Sequence, residues 1–328
     1  MKRTLRGLLG LLGGASVACA GGVSVSETVG QLPSGFVAAA ILEDPTGGPL
    51  LFGYGGGAST PVAQRRTALW RIAGGEASEV MPSEPGWFVA AARSGAQIWG
   101  VRAAKDAAQD GNRYTVVVSE NGGQDWEARG DIPSESVTAL AVSEDGWGWA
   151  GGVADLWRTT DGGRTWSPVV VPGSRGVQKP NFAAPAPGVV LVGGPTLRRS
   201  GDGGETWVTL SADEVLATDG AWVAGTLGDG VRLGRIEGDA VAWRGSLDEA
   251  LLPDALVSDG DKVVVRAAPT GKDVGRYVAL IVSVDGGETL GFEKLRGPSS
   301  TATVGLGDGQ VWRLTQDRAL KRLTLKED

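Results

Sequence analysis

The sequence has no histidine among its 328 residues. That absence excludes catalysis through a Ser–His pair, imidazole metal ligation and any switch built on a histidine's titration. Cysteine occurs once, at Cys19, so no intrachain disulfide can form and stability has to come from packing. Only three tyrosines are present, Tyr54, Tyr114 and Tyr277. Basic residues are outnumbered, 31 Lys and Arg against 38 Asp and Glu, for a formal net charge of -7. General nucleic-acid binding needs a basic footprint, so nucleic acid is not expected as a partner. Beyond the N-terminus no segment of adequate length carries helical periodicity.

Glycine is what the chain has in excess, 54 residues against a hydrophobic fraction of 41% that is ordinary for a globular protein. The glycines therefore read as turn punctuation. An octet recurs with them: "SENGGQDW" from Ser119, "TTDGGRTW" from Thr159, "SGDGGETW" from Ser200 and "SVDGGETL" from Ser283. Its acid or amide position falls at Asn121, Asp161, Asp202 and Asp285, at intervals of 40, 41 and 83 residues. The last interval is about twice the others, and "RIEGDAVAW", ending at Trp243, reads as the decayed copy between them. Further relics lie near Gly74 and Asp317, which makes seven units. A period near forty residues is the mark of stacked supersecondary units, propeller blades among them.

One unit can be read strand by strand: Thr138–Val142, Gly146–Gly152, Leu156–Thr160 and, after the Asp-Gly-Gly turn, Thr165–Val171. Four short strands separated by turn signals predict one antiparallel sheet, and a sheet apolar on both faces must be packed on both. The fold expected is all-β, a single β-propeller over residues 21–328 with seven four-stranded antiparallel blades. The last unit supplies about three strands, and "GVSVSETV" (Gly22–Val29) alternates in a way that lets the N-terminal strand close the final blade. Trp99, Trp149 and Trp222 fall in the second strands and are expected in the core between blades. Trp87 and Trp147, beside turn glycines, are candidates for an exposed partner site. The stretch Arg102–Tyr114 reads as a polar loop and a partner contact.

Residues 1–20 read as an export signal: Lys2, Arg3 and Arg6 precede a short apolar core and then small residues. Cys19 at that boundary resembles the lipidated cysteine of a bacterial lipoprotein, although Ser16 stands where such signals usually carry Leu. Ordinary cleavage after Ala20 is the alternative, since Ala18-Cys19-Ala20 has an A-x-A form. Either way the mature chain is expected outside the cytoplasm: in the periplasm, at the outer membrane on a lipid anchor, or secreted.

The octet, S-x-D-x-G-x-T-W, resembles the Asp-box, or BNR, repeat of sialidases, sortilin-type receptors and propellers similar to the photosystem II assembly factor Ycf48. Asp161 and Asp202 head two nearly complete copies, while Asn121 with Asp125, and Leu290 in place of Trp, mark two degenerate ones. The residue types suit a hairpin. Gly163, Gly204 and Gly287 supply positive φ, and the aspartates accept backbone N–H groups in an Asx-type turn. Thr165 and Thr206 complete the box, and Trp126, Trp166 and Trp207 open the outer strand. The expected role is structural, with no catalytic residue, no cofactor and no metal, because "DGGRTW" offers one carboxylate where a calcium loop needs several.

The resemblance implies two functions. A Ycf48-like protein is a non-catalytic binding or assembly platform, here for an unidentified envelope or secreted protein, or a glycan, with the propeller a monomer. Arg65, Arg66, Arg198 and Arg199 form two basic doublets suited to an acidic client surface. A sialidase, the alternative, implies an exo-acting glycoside hydrolase with three arginines, a Tyr–Glu pair and an Asp acid/base. Tyr277 beside Arg276 is the nearest candidate nucleophile. Arg71-Ile72 is followed by Ala73 where the sialidase motif has Pro.

Overall fold

The computed structural model describes residues 22–42, 48–106, 111–152, 155–173, 181–296, 305–307, 310–314 and 318–326. The expected export signal, Cys19 and the expected relic at Asp317 lie outside these residues. Strand and turn alternate throughout. Among the described residues there are three short 3-10 turns, Val62–Gln64, Gly271–Asp273 and Glu144–Gly146, in the last of which Asp145 is left-handed at φ 61°. The protein is an all-β propeller of four-stranded antiparallel blades.

Six blades are each built from four consecutive strands, spanning residues 37–79, 87–132, 139–169, 182–211, 215–247 and 251–296. The remaining sheet is composite: Gly305–Gly307, Gln310–Leu314 and Ala319–Lys326 are joined by Gly22–Gln31 as the outermost strand. The N-terminal strand pairs antiparallel with the C-terminal one, from Gly22 opposite Lys326 to Gln31 opposite Ala319. The seven like units of the repeat count thus resolve into six units of consecutive strands and one sheet made from both ends of the chain. Trp312, Leu314 and Leu320 of that sheet share a core with Ile41, Leu51 and Ile72 of the first blade.

The first strands of consecutive blades touch one another, which places them innermost. Their composition follows from that position. Strands converging on an axis leave little room for side chains, and Ala38–Ala40, Ala90–Ala92, Ala139, Ala141, Ala183 and Ala184 occupy these strands. The second strands, one step outward, carry the bulk. Trp99, Trp149 and Trp222 are fully buried there, alongside Leu50, Phe52, Ile98 and Leu191.

Two sequence expectations change. In the third blade the strands are shorter than read, Ala139–Val142, Gly148–Gly151, Leu156–Thr159 and Ser167–Val169. Gly146, at φ 79°, belongs to a turn, and Thr165 and Trp166 belong to the octet turn. Within the stretch Arg102–Tyr114, residues 102–105 and 112–114 belong to the paired strands Gln97–Lys105 and Asn112–Ser119, in register to Lys105 opposite Asn112, while residues 107–110 lie outside the described residues. Ala103 and Tyr114 in it are buried. The polar residues mark the outward face of a paired strand, which a composition-based reading took for a loop.

Candidate functional site

Antiparallel strands within each blade sort the connections onto two faces. The octets, between third and fourth strands, lie on one; hairpins between second and third strands and the blade-to-blade connections lie on the other, here termed the loop face.

In the third blade's octet the Thr159 hydroxyl donates to Asp161 Oδ1 (2.8 Å) and accepts the Gly163 N–H (3.0 Å). Asp161 Oδ1 also accepts the N–H groups of Arg164 and Thr165, both at 3.0 Å, and Oδ2 accepts the Thr165 hydroxyl at 2.6 Å. The Trp166 indole N–H closes the turn on the Gly163 carbonyl (3.3 Å). Gly162 and Gly163 hold φ of 75° and 88°, which an L side chain resists. The fourth blade repeats the pattern with Ser200, Asp202, Gly204, Thr206 and Trp207. The sixth repeats it with Ser283, Asp285, Gly287 and Thr289, but Leu290 offers no indole N–H.

The second blade reaches the same geometry with its polarity reversed. Asn121 Oδ1 accepts the N–H groups of Gln124 (3.2 Å) and Asp125 (2.9 Å), as the aspartates do elsewhere. Its Nδ2, however, donates to Asp125 Oδ2 at 2.9 Å, where the other octets have a threonine hydroxyl donating to a carboxylate. Amide and acid have exchanged roles together. Trp126 still donates to Gly123 O at 3.2 Å.

Burial opposes ionisation of Asp161, but hydrogen bonds from the Thr165 hydroxyl and N–H, the Thr159 hydroxyl and the Arg164 N–H outweigh it and hold the carboxyl near pKa 2. For Asp202 the Thr206 hydroxyl and N–H lead, also to about 2. At Asp285 desolvation is again overcome, by Thr289 and Ser283, and the pKa is lowered. Carboxylates held ionised have no proton to give at neutral pH, which argues against a general-acid role.

The octets also dock blade to blade. A Cβ on Gly163 would meet Trp99 of the preceding blade at 3.1 Å, and one on Gly287 would meet Trp222 at 3.1 Å. An arginine from the preceding blade then grips the turns of the second, third and fourth blades' octets and the fifth blade's relic at Gly238. Arg71 Nη2 donates to Gly122 O (2.6 Å), Arg129 Nη1 to Gly162 O (2.8 Å), Arg158 to Gly203 O, and Arg199 Nη1 to Gly238 O (2.9 Å). Sequence reading missed this clasp. Its signal was available in Arg158-Thr159 and Arg199-Ser200, an arginine directly before the octet's hydroxyl.

No family model and no curated protein matches the chain. Solved structures do. Over 91% of this chain and 95% of the other, it superposes on Ycf48 bound to a D1 peptide, with TM-score 0.58 and 17% identity. Catalytically inactive virginiamycin B lyase from Staphylococcus aureus, with quinupristin, gives TM-score 0.60 at 12% identity, covering 93% and 99%. A GH74 enzyme from Niastella koreensis gives 0.58 at 13% identity over 90% of this chain, which spans about half, 53%, of that protein. The shared fold is the propeller. Binding proteins and enzymes both occur among these neighbours, so function rests on the propeller's own side chains.

On the propeller's loop face Arg65 is held by aromatics, its Cζ 4.4 Å from the Tyr54 ring centroid and 5.6 Å from that of Trp87. Its Nε donates to Thr60 O (3.3 Å). Arg66 turns away and donates from Nη2 to Ser83 O (2.6 Å). The other doublet does not form one patch. Arg198 and Arg199 are consecutive strand residues on opposite sheet faces, Arg198 bonded to Thr196 and Arg199 to Gly238 and Asp239 of the next blade. Trp87 and Trp147 are not an exposed pair either. Both are half-buried; Trp147 stacks on Trp149 (6.3 Å, 29°), at the face opposite Trp87. The three tyrosines are in the first, second and sixth blades, where Tyr114 OH bonds to Glu135 O (3.4 Å) and Tyr277 lies under Lys294 Nζ (5.1 Å).

Proposed function

We propose that the chain is a non-catalytic, extracytoplasmic binding propeller that holds a client protein against its loop face. In this reading the octets are Asp-box repeats and the composite sheet is a seventh blade closing the ring through the N-terminal strand. Residues 1–20 are an export signal, ending in lipidation at Cys19 or cleavage after Ala20. The observation that carries the binding role is Arg65. Tyr54 and Trp87 fix its guanidinium plane, and among the described residues neither Nη has a hydrogen-bond partner, which suits capture of a client carboxylate. The Ycf48 structure with a bound D1 peptide offers a precedent for peptide capture on this fold. The scattered tyrosines favour this reading over an exo-sialidase, whose nucleophile needs a Glu and three arginines gathered around it.

Pull-down from the native envelope tests the proposal. Wild-type protein is expected to retain a specific protein that Arg65→Glu releases, with the melting temperature unchanged. Hydrolysis of a generic sialoside by the purified mature chain would overturn it.

A further inference from the structure

Five large apolar side chains stand out in solvent among the described residues, and three of them belong to adjoining loops of the fifth and sixth blades. Leu227, 59% exposed, begins a hairpin tip on the loop face; Leu252, 47% exposed, opens the sixth blade's inner strand; Val274, 67% exposed, lies in that blade's second-to-third connection. They are far apart in sequence, and the fold brings their segments together. Gly230, across the tip from Leu227, faces the backbone of Asp248, a Cβ there lying 3.4 Å from the Asp248 Cα. Ala250 O in turn accepts the N–H (3.0 Å) and hydroxyl (3.2 Å) of Thr270, which leads into the loop bearing Val274. Single exposed apolar residues need no explanation, but three on adjoining segments of one face point to a contact surface.

The charge around this patch is one-sided. Asp229 and Asp248 are exposed and have no ion pair or hydrogen bond to their carboxylates among the described residues, and Glu214 is met only by the Thr226 hydroxyl (2.8 Å). The neighbouring cations are already engaged: Arg232 with Asp213 (3.2 Å) and over the Trp243 ring (3.7 Å), Arg266 with Asp254 (2.7 Å), Arg276 with Asp273 (3.1 Å) and Lys294 with Glu249 (4.0 Å). Lys272 is the exposed cation left in these loops. We infer that this patch docks a partner segment in which a bulky apolar side chain is flanked by lysine or arginine. Such a segment fills the apolar centre and neutralises the free carboxylates at its rim. The inference rests on the binding-platform reading and adds a second contact, of opposite polarity to Arg65, on the same face.

The test uses the mature chain and two labelled eleven-residue probes of alternating Leu and Lys or Leu and Glu, followed by fluorescence anisotropy at low and physiological salt. The Leu–Lys probe is expected to bind, more weakly as salt rises, and the Leu–Glu probe not to bind. Replacing Leu227, Leu252 and Val274 with Ser, or Asp229 and Asp248 with Lys, should raise Kd at least tenfold. The same charge change at exposed Glu76 and Glu79, on the first blade's outer strand, should leave Kd within twofold, with circular dichroism confirming that every variant is folded. Absence of Leu–Lys binding, or an equal loss in the distant Glu76/Glu79 variant, overturns the inference. Arg65→Glu separates the two readings: it should release the envelope client yet keep the probe.

Discussion

At the scale of single residues the octet is a hydrogen-bond circuit whose members cannot be changed one at a time. Asp161 accepts two N–H groups and two hydroxyls, so Asp161→Ala leaves them unpaired and should lower stability by about 2 kcal/mol in denaturant unfolding. The second blade offers a stricter test. Asn121→Asp sets a new carboxylate against Asp125, 2.9 Å from the present amide nitrogen, and should destabilise. Adding Asp125→Thr recreates the arrangement of the third blade, so the double variant should recover much of the loss in a double-mutant cycle. The pH dependence follows from the lowered carboxyls. Asp161 and Asp202 have folded pKa values of about 2, below the unfolded value near 3.9, so their contribution is complete above about pH 4 and is lost as pH falls through 2. Urea midpoints at pH 7, 4 and 2.5 should show the decline below pH 4, and it should be shallower in Asp161→Asn/Asp202→Asn.

At the scale of the element, each blade is half of a joint. The second-strand tryptophans back the following octets, which explains why Trp99, Trp149 and Trp222 are buried while the octet indoles are placed at the outer strand. Their indole nitrogens differ. Trp222 Nε1 donates to Gly260 O (3.1 Å), whereas Trp149 Nε1 has no partner among the described residues. Trp222→Phe should therefore destabilise more than Trp149→Phe, by about 1 kcal/mol, as thermal unfolding of the pair can measure. The periodicity and turn residues made the strands legible from sequence. Their ends were less so at Gly146 and Trp166, where turn hydrogen bonding overrides strand-forming side chains. The Arg102–Tyr114 hairpin was misread for a related reason: polar residues on the open face of a pair look like a loop until the pairing is known.

At the scale of the whole molecule, the composite sheet joins the two ends of the chain. Its outermost strand, Gly22–Gln31, covers the edge of Ala319–Lys326. Removing residues 22–31 would bare that edge and its unpaired backbone groups. Such a variant should melt at lower temperature than a chain of residues 21–328 and form oligomers in size-exclusion chromatography; an unchanged melting curve with monomeric elution would show that the strand contributes nothing. The loop face displays the complementary organisation, with aromatic-held Arg65 over the first and second blades and the acidic, apolar patch over the fifth and sixth.

The sequence by itself determined the all-β class, the blade period and the turn-forming chemistry of the octet, because turns and strands are set by local backbone preferences that glycine, aspartate and alternating apolar residues express directly. Tertiary structure alone decided which arginines are clasps and which one is held between aromatic rings. Arg198 and Arg199 read alike in a line of letters, and only the docking of the next blade separates them. It also decided the patch at Leu227, Leu252 and Val274, since surface adjacency across blades is a property of packing and leaves no trace in sequence spacing.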